Sequence, residues 1–258
     1  DFRPDTPGWQ RWRLSFHNWA TLATARSKRT LMFLYPALPF AGEYPFRDLH
    51  ERVMAAARDT SLTLHTGWFP RERGRLAEDG DLDHPPVNDA IEGMDREGYM
   101  VFGPYLALPK GEGVATFRMR AKGVAPETPV ARIDVAYDKG KTIVAQRVVT
   151  AGELGADFAW SDISLPYAVT ADRVDDGEFR VYYMGKGIVE VSTVTFPVVY
   201  RVEAYDLTPR IKGTSAWISR FDAHPNEAAN RVMADALYDY LTTGDDPSIK
   251  KPDAYLNP

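Results

Sequence analysis

The sequence predicts an α/β protein, a partial parallel sheet with helices, interrupted by an inserted antiparallel β-sandwich. Three observations carry that prediction. Near both ends of the chain, apolar residues recur at helical spacing or in short unbroken blocks. Between about Gly98 and Phe196 they switch to alternation, in short runs separated by Gly- and Asp-rich turns. A polar stretch broken by Gly and Pro separates the first regime from the second. The expected parts are residues 1–92, an α/β segment with its linker, 93–197, the inserted sandwich, and 198–258, a C-terminal α/β segment with a tail.

Taken in order, Trp12, Phe16, Trp19, Leu22 and Ala23 recur at helical spacing. They end in Arg26, Lys28 and Arg29, charges that suit a helix C-terminus. Leu31 to Tyr35 is continuously apolar and is closed by Pro36, as a strand covered on both faces would be. Phe46 to Ala57 is helical again, with Leu49, Val53, Met54 and Ala57 on one side, and Leu62-Thr63-Leu64 reads as a short strand. Helix, strand, helix, strand at this spacing argues for part of a parallel sheet. Residues 70–92 carry Arg71, Glu72, Arg73, Arg75, Glu78, Asp79, Asp81 and Asp83 before Pro85-Pro86, and read as a loop.

The sandwich strands follow. Val114 to Arg120 alternates, as does Ala131 to Tyr137 ahead of the turn Asp138-Lys139-Gly140. Thr142 to Val149, Phe179 to Met184 and Ile188 to Phe196 continue the pattern. After Pro197, Val198 to Val202 and Ala204 to Leu207 are strand-like. Asn226 then suits the N-cap of a helix with Ala229, Val232, Met233, Ala236, Leu237, Tyr240 and Leu241 on one face. Beyond Thr243 the chain has prolines and no periodicity, which reads as a tail.

Composition narrows the function. The 258 residues are 44% hydrophobic and 26% charged, an ordinary globular balance. A net charge of -5 with no basic face disfavours nucleic acid as a partner. Absence of cysteine excludes disulfides, thiolate zinc sites and a cysteine nucleophile. The longest apolar run, Leu31 to Leu38, is too short to span a bilayer. The chain opens at Asp1 without a signal-peptide pattern, which leaves the compartment open, an exported or periplasmic origin included.

The sharpest chemical feature is Asp222-Ala223-His224-Pro225-Asn226. An aspartate two residues before a histidine can hold the imidazole in one tautomer and balance its charge during proton transfer. The plainer alternative is a solvated Asp–His pair beside a helix whose cap is Asn226. The block from Phe221 to Asn226, with Ala228-Ala229 and the helix to Tyr238, resembles the last conserved block of SGNH/GDSL-type hydrolases. Leu31 to Leu38 resembles a late core strand of that family, Phe46 to Ala57 the helix after it, and Tyr205-Asp206-Leu207-Thr208-Pro209 the last strand before the block.

That resemblance implies a serine-type ester hydrolase or O-acyltransferase acting on an acylated glycan, with His224 as general base then acid and Asp222 as its orienting partner. It implies no metal and no organic cofactor. The family's Gly-Asp-Ser nucleophile block, and the glycine and asparagine that complete its oxyanion hole, are not recognisable in the sequence. Gly213-Thr214-Ser215 resembles a variant of the nucleophile turn but stands just before the histidine block. The expectation is that an upstream portion of the same polypeptide carries the nucleophile, or that the chain is a non-catalytic relative.

The sandwich resembles accessory carbohydrate-binding modules, on Gly98 to Tyr105, Leu108 to Gly111 and Phe179 to Tyr183. Sugar sites use aromatic platforms, for which Trp160, Tyr167, Tyr182 and Tyr183 are the candidates. The alternative places them in the core and rim of the sandwich. The second reading of function is therefore a carbohydrate-binding or structural protein in which the sandwich does the work. Asp79, Asp81 and Asp83 have the alternation of a calcium loop, but His84 and Ala90 stand where it needs glycine and glutamate. His50, His65 and His84 are too scattered for a zinc site.

Overall fold

In a computed structural model of the chain the residues described are 6–26, 30–35, 46–77, 87–198, 200, 202–211, 217–219 and 222–244. For 217–219 and 222–225 the description is of the backbone. The elements begin with helix α1 (Pro7–Arg26), strand β1 (Thr30–Leu34) and helix α2 (Arg47–Ala56). Strands β2 (Ser61–His65), β3 (Arg75–Ala77), β4 (Val87–Ile91), β5 (Gly98–Val101) and β6 (Pro104–Leu108) follow. The long strands are β7 (Gly111–Lys122), β8 (Pro129–Tyr137), β9 (Thr142–Thr150), β10 (Ser161–Val169), β11 (Val174–Tyr183) and β12 (Ile188–Pro197). The chain closes with β13 (Val202–Asp206), α3 (Thr208–Ile211), β14 (Trp217–Ser219), β15 (Asp222–Pro225) and α4 (Glu227–Thr243).

These elements form two compact units, one of residues 1–26 with 60–200 and one of 27–59 with 201–258. The larger is a sandwich of antiparallel sheets. Its first sheet runs β10-β7-β12-β4-β3, with β2 also on β12, and its second runs β5-β11-β8-β9, with β6 also on β11. Alternation decides what each strand buries. Ile163, Leu165, Tyr167 and Val169 of β10 point inward, as do Ala115, Phe117, Met119 and Ala121 of β7. From the facing sheet come Ala131, Ile133 and Val135 of β8 and Phe179, Val181 and Tyr183 of β11. Phe179 stacks on Phe196 of β12 across the layer at 4.6 Å.

Strand β12 changes phase. Its register on β7 shifts between Val191 and Thr193, so Val189 and Val191 before the bulge and Val194 and Phe196 after it all face inward. Pro166, which cannot donate to a ladder, sits on β10 at the end of the strand order, where that donor is not needed. Helix α1 packs on β6. Its His17 Nε2 donates to the Ala107 carbonyl at 2.8 Å and Asn18 Oδ1 accepts from the Ala107 amide at 2.8 Å. His17 is buried against Phe196 and Tyr200, and burial holds its imidazole below its ordinary value.

In the smaller unit β1 and β13 pair in parallel, Thr30 opposite Val202 through Leu34 opposite Asp206. Parallel neighbours need a crossover, and α2 lies on the chain between them, packed on β13. Leu207, Ile211, Ala229 and Ala236 form the buried cluster here, with Phe33, Tyr35, Val232 and Met233 against it. Asn226 caps α4, its side chain accepting from the Ala229 amide at 3.1 Å, and Gly244 in the left-handed region ends it.

Candidate functional site

Tyr183 and Tyr182 are neighbours on one strand and so face opposite sides of the sheet. Tyr183 is fully buried in the sandwich core, its hydroxyl donating to the Gly187 carbonyl at 2.7 Å. Tyr182 faces outward with Arg180 and Glu178. On this outer face stand also Arg132 and Asp134 of β8, opposite Tyr182 and Arg180 in register.

Outer faces of antiparallel sheets are commonly wet and polar. Here the part formed by β8 and β11 is charged and buried. Asp134 is 0%, Glu178 4% and Arg180 6% exposed. The covering comes from two segments tied to the sheet edge. Glu72 and Arg73 amides donate to the Tyr99 carbonyl, the Phe102 amide donates to the Pro70 carbonyl, and the Phe179 amide donates to the Gly103 carbonyl. They bring Glu72, Tyr99, Phe102 and Tyr105 over Lys139, Asp176, Glu178 and Arg180, around a cavity of about 660 Å³.

Within it Arg180 is tightly committed. Its Nε donates to Asp134 Oδ1 at 2.5 Å, its Nη1 donates to the Gly140 carbonyl at 3.2 Å, and its plane lies 4.8 Å from the Tyr99 ring. Gly140 has to be glycine: φ is +76° and a Cβ would stand 2.2 Å from Arg180 Nη1. Tyr99 meets Tyr182 edge to face at 5.3 Å, and Arg132 lies over Tyr182 at 4.7 Å. Asp176 accepts from the Asp138 and Lys139 amides, which fixes the β8–β9 turn. Tyr105 holds φ +62°, a left-handed conformation few bulky residues adopt.

Burial decides the direction for the two carboxyls of this cluster. It pushes the Asp134 carboxyl up against the pull of Arg180, and Asp134 Oδ2 is buried without a hydrogen-bond partner. It pushes the Glu178 carboxyl up as well, with Arg180 and the Gly103 amide opposing and Asp134 and Asp176 adding to the rise. Arg180 is held charged by the Asp134 carboxylate.

Trp160 lies elsewhere, by the first sheet. Arg120 of β7 stacks 4.2 Å from the Trp160 ring and 4.3 Å from Phe158, while donating to Glu190 of β12 at 2.7 Å. Of the four aromatics singled out in the sequence, Tyr182 therefore stands on one sheet's outer face, Tyr183 in the core and Trp160 by the other sheet. Tyr167 is buried in the core.

In the smaller unit Asp222 and His224 lie on β15, paired antiparallel with β14. Their side chains lie outside the described residues, as do Gly213-Thr214-Ser215 and Asp79, Asp81 and Asp83. A different acid–histidine pair is described at the C-terminal end of β13. Asp206 Oδ1 accepts from His50 Nδ1 at 3.0 Å and from the Thr208 amide and hydroxyl at 2.9 and 2.6 Å. Burial pushes the Asp206 carboxyl up, but these donors outweigh it and hold it below its ordinary value. No cluster of three His, Asp or Glu side chains fit to hold a metal occurs among the described residues, and no described helix is long and apolar enough to cross a membrane.

No protein-family profile matches the chain, and no curated protein does. Solved structures do overlap it. The C-terminal CBM6 of a laminarinase from Zobellia galactanivorans is 13% identical, with a TM-score of 0.39 over 53% of this chain and 98% of that one. A carbohydrate-binding module of lichenase 5A from Cellvibrio mixtus, in complex with cellotriose, is 10% identical with a TM-score of 0.40 over 55% and 100%. A family two carbohydrate esterase from Cellvibrio japonicus is 11% identical, with a TM-score of 0.32 over 55% of this chain and 34% of that one. Such distant likenesses carry no function to this chain.

Proposed function

We propose that this chain binds carbohydrate on the outer face of the β5-β11-β8-β9 sheet. The observation that carries the reading is the cavity of about 660 Å³ with Tyr99, Phe102 and Tyr105 over Glu178, Arg180, Asp176 and Lys139. Its size suits a sugar ring or two, and its chemistry suits the two-sidedness of a sugar. Aromatic rings can cover the C–H faces, and the carboxylates of Glu178 and Glu72 can accept from hydroxyls. A bulky residue in the left-handed region costs about 1–3 kcal/mol, and such strain tends to be retained where a side chain must be presented. Tyr105 is 44% exposed at the mouth, where a ring can meet a ligand.

Calorimetric titration of the full chain with β-linked hexasaccharides tests this. Tyr105→Ala is expected to weaken binding about tenfold, the ordinary loss for a central aromatic contact. No heat at millimolar glycan, or binding untouched by both Tyr105→Ala and Phe102→Ala, overturns it.

A second reading is favoured by the parallel β1·β13 pair with α2 on its crossover, and by the Asn226-capped helix directly after Asp222 and His224. Together with the resemblance to SGNH/GDSL-type hydrolases, these support ester hydrolysis or acyl transfer on an acylated glycan. His224 would take the proton of a serine supplied by another portion of the polypeptide, and Asp222 would orient it. Turnover of p-nitrophenyl acetate by the polypeptide carrying that serine is expected to fall at least 100-fold in His224→Ala. Undiminished turnover removes this reading and leaves the first intact.

A further inference from the structure

The groups around the sandwich cavity are unequally free to meet a ligand. Arg180 spends its Nε on Asp134 and its Nη1 on Gly140, and its face lies against Tyr99. Both oxygens of Asp176 are taken by the turn amides of Asp138 and Lys139. The carboxylates of Glu72 and Glu178 remain beside the rings of Phe102 and Tyr105, that of Glu178 taking one backbone amide, from Gly103, with acceptor capacity left over. Three acids and two bases line the space, and behind the wall Asp134 is matched by Arg132, so the excess is one negative charge. Lys139, the cation not committed to an acid in the wall, stands exposed on a tight turn and can swing to solvent.

We infer that the sugar this cavity takes carries a free ammonium group, an amino sugar in preference to a neutral hexose or a uronate. The inference rests on the carbohydrate reading above. An ammonium between a buried carboxylate and aromatic faces gains a charge-assisted hydrogen bond, about twice as strong as a neutral one, and a cation–π contact. A uronate there would face Glu178 and Glu72 with like charge. Burial already holds the Glu178 carboxyl above its ordinary value, and a bound cation relieves that desolvation.

The test is titration of the full chain with β-1,4 hexamers of glucosamine, N-acetylglucosamine, glucose and galacturonate. The expected result is glucosamine hexamer at least about tenfold tighter than its N-acetylated counterpart, which differs only in the charge and the acetyl cap. In Glu178→Gln that ratio is expected to fall below about threefold, and Glu72→Gln, an exposed position that leaves the buried wall intact, to lower it partway. Equal affinity for the two hexamers, or tighter binding of galacturonate, overturns the inference and spares carbohydrate binding. A ratio that survives both variants also overturns it, because the attraction is then the general one of a chain with net charge -5. Binding of none of the four hexamers removes both.

Discussion

Removing the cation from the buried cluster is the most informative single perturbation. In Arg180→Met the Asp134 carboxylate, with 0% side-chain exposure, loses its 2.5 Å partner, and the neighbouring Glu178 loses the charge that opposes its rise. Breaking a buried pair so as to leave charge uncompensated costs about 3–5 kcal/mol. The converse change is milder. In Asp134→Ala the guanidinium keeps the Gly140 carbonyl and the nearby Glu178, so the loss is about 1.5–3 kcal/mol, that of one hydrogen bond to a charged group. For a unit of this size one kcal/mol moves Tm by roughly 2–4 °C, which puts Arg180→Met about 6–20 °C down. In Asp134→Ala/Arg180→Met both charges go, and the double variant is expected to be about 1–3 kcal/mol better than the sum of the singles.

The assay is calorimetry on the full chain with hydrogen exchange followed in β8 and β11, which locates the loss in the sandwich. The pH dependence adds a sign. Without Arg180 the two carboxyls rise further, so they take up protons in the folded state before they do when unfolded, and the penalty shrinks as pH falls from about 7.5 toward 5. A loss under about 1 kcal/mol, strict additivity in the double variant, or a penalty unchanged across that range refutes the reasoning.

In the unchanged protein Glu178 has its folded value above the ordinary 4.5, so its contribution to stability is complete below that value and is lost as pH rises through the folded one. Glu178→Gln, which cannot ionise, is accordingly expected to unfold at higher urea than the parent at pH 7 and at the same urea near pH 4; an equal difference at both pH values counts against it. In the smaller unit Asn226→Ala is expected to lose about 1 kcal/mol, seen as faster exchange in the first turn of α4 with the sandwich unmoved. Exchange unchanged at Ala229 would show that the cap contributes nothing there.

Alternation made the sandwich legible. The inward residues of β7 and β8 are those a period of two selects, because one face of each strand is buried against the other sheet, whereas β10, which obeys the same period, is not among the strands expected. The same rule separates Tyr182 from Tyr183, since Phe179, Val181 and Tyr183 share a phase and the first two are plainly core residues. The helical spacing of Trp12, Phe16 and Trp19 likewise foretells α1, but nothing local says which strands it covers. The bulge in β12 has no composition signal. The pairs that build the sites are long-range, Asp134 with Arg180 across 46 residues and His50 with Asp206 across 156, and no sequence window contains both partners. Tyr99, Phe102 and Tyr105 stood in a stretch noticed for its resemblance, yet their convergence over β11 depends on the Pro70 and Gly103 carbonyls gripping the sheet edge.

The two outer faces of the sandwich solve the same problem differently, and the contrast bears on function. On the β10-β7-β12-β4-β3 sheet, Arg120 lies against Phe158 and Trp160 while pairing with Glu190, and Lys122 shares Phe158, so aromatic cover and counter-charge are both spent on these cations. That arrangement is complete in itself. On the other sheet Asp134 keeps an oxygen without a hydrogen-bond partner, and the rings of Phe102 and Tyr105 stand over a space lined by more acids than bases instead of over Arg180. Buried charge in excess of its partners does not raise stability, and apolar residues of similar volume would serve the fold as well or better. A sheet face that holds such a cluster under a strained tyrosine is better explained by what it receives than by what it supports.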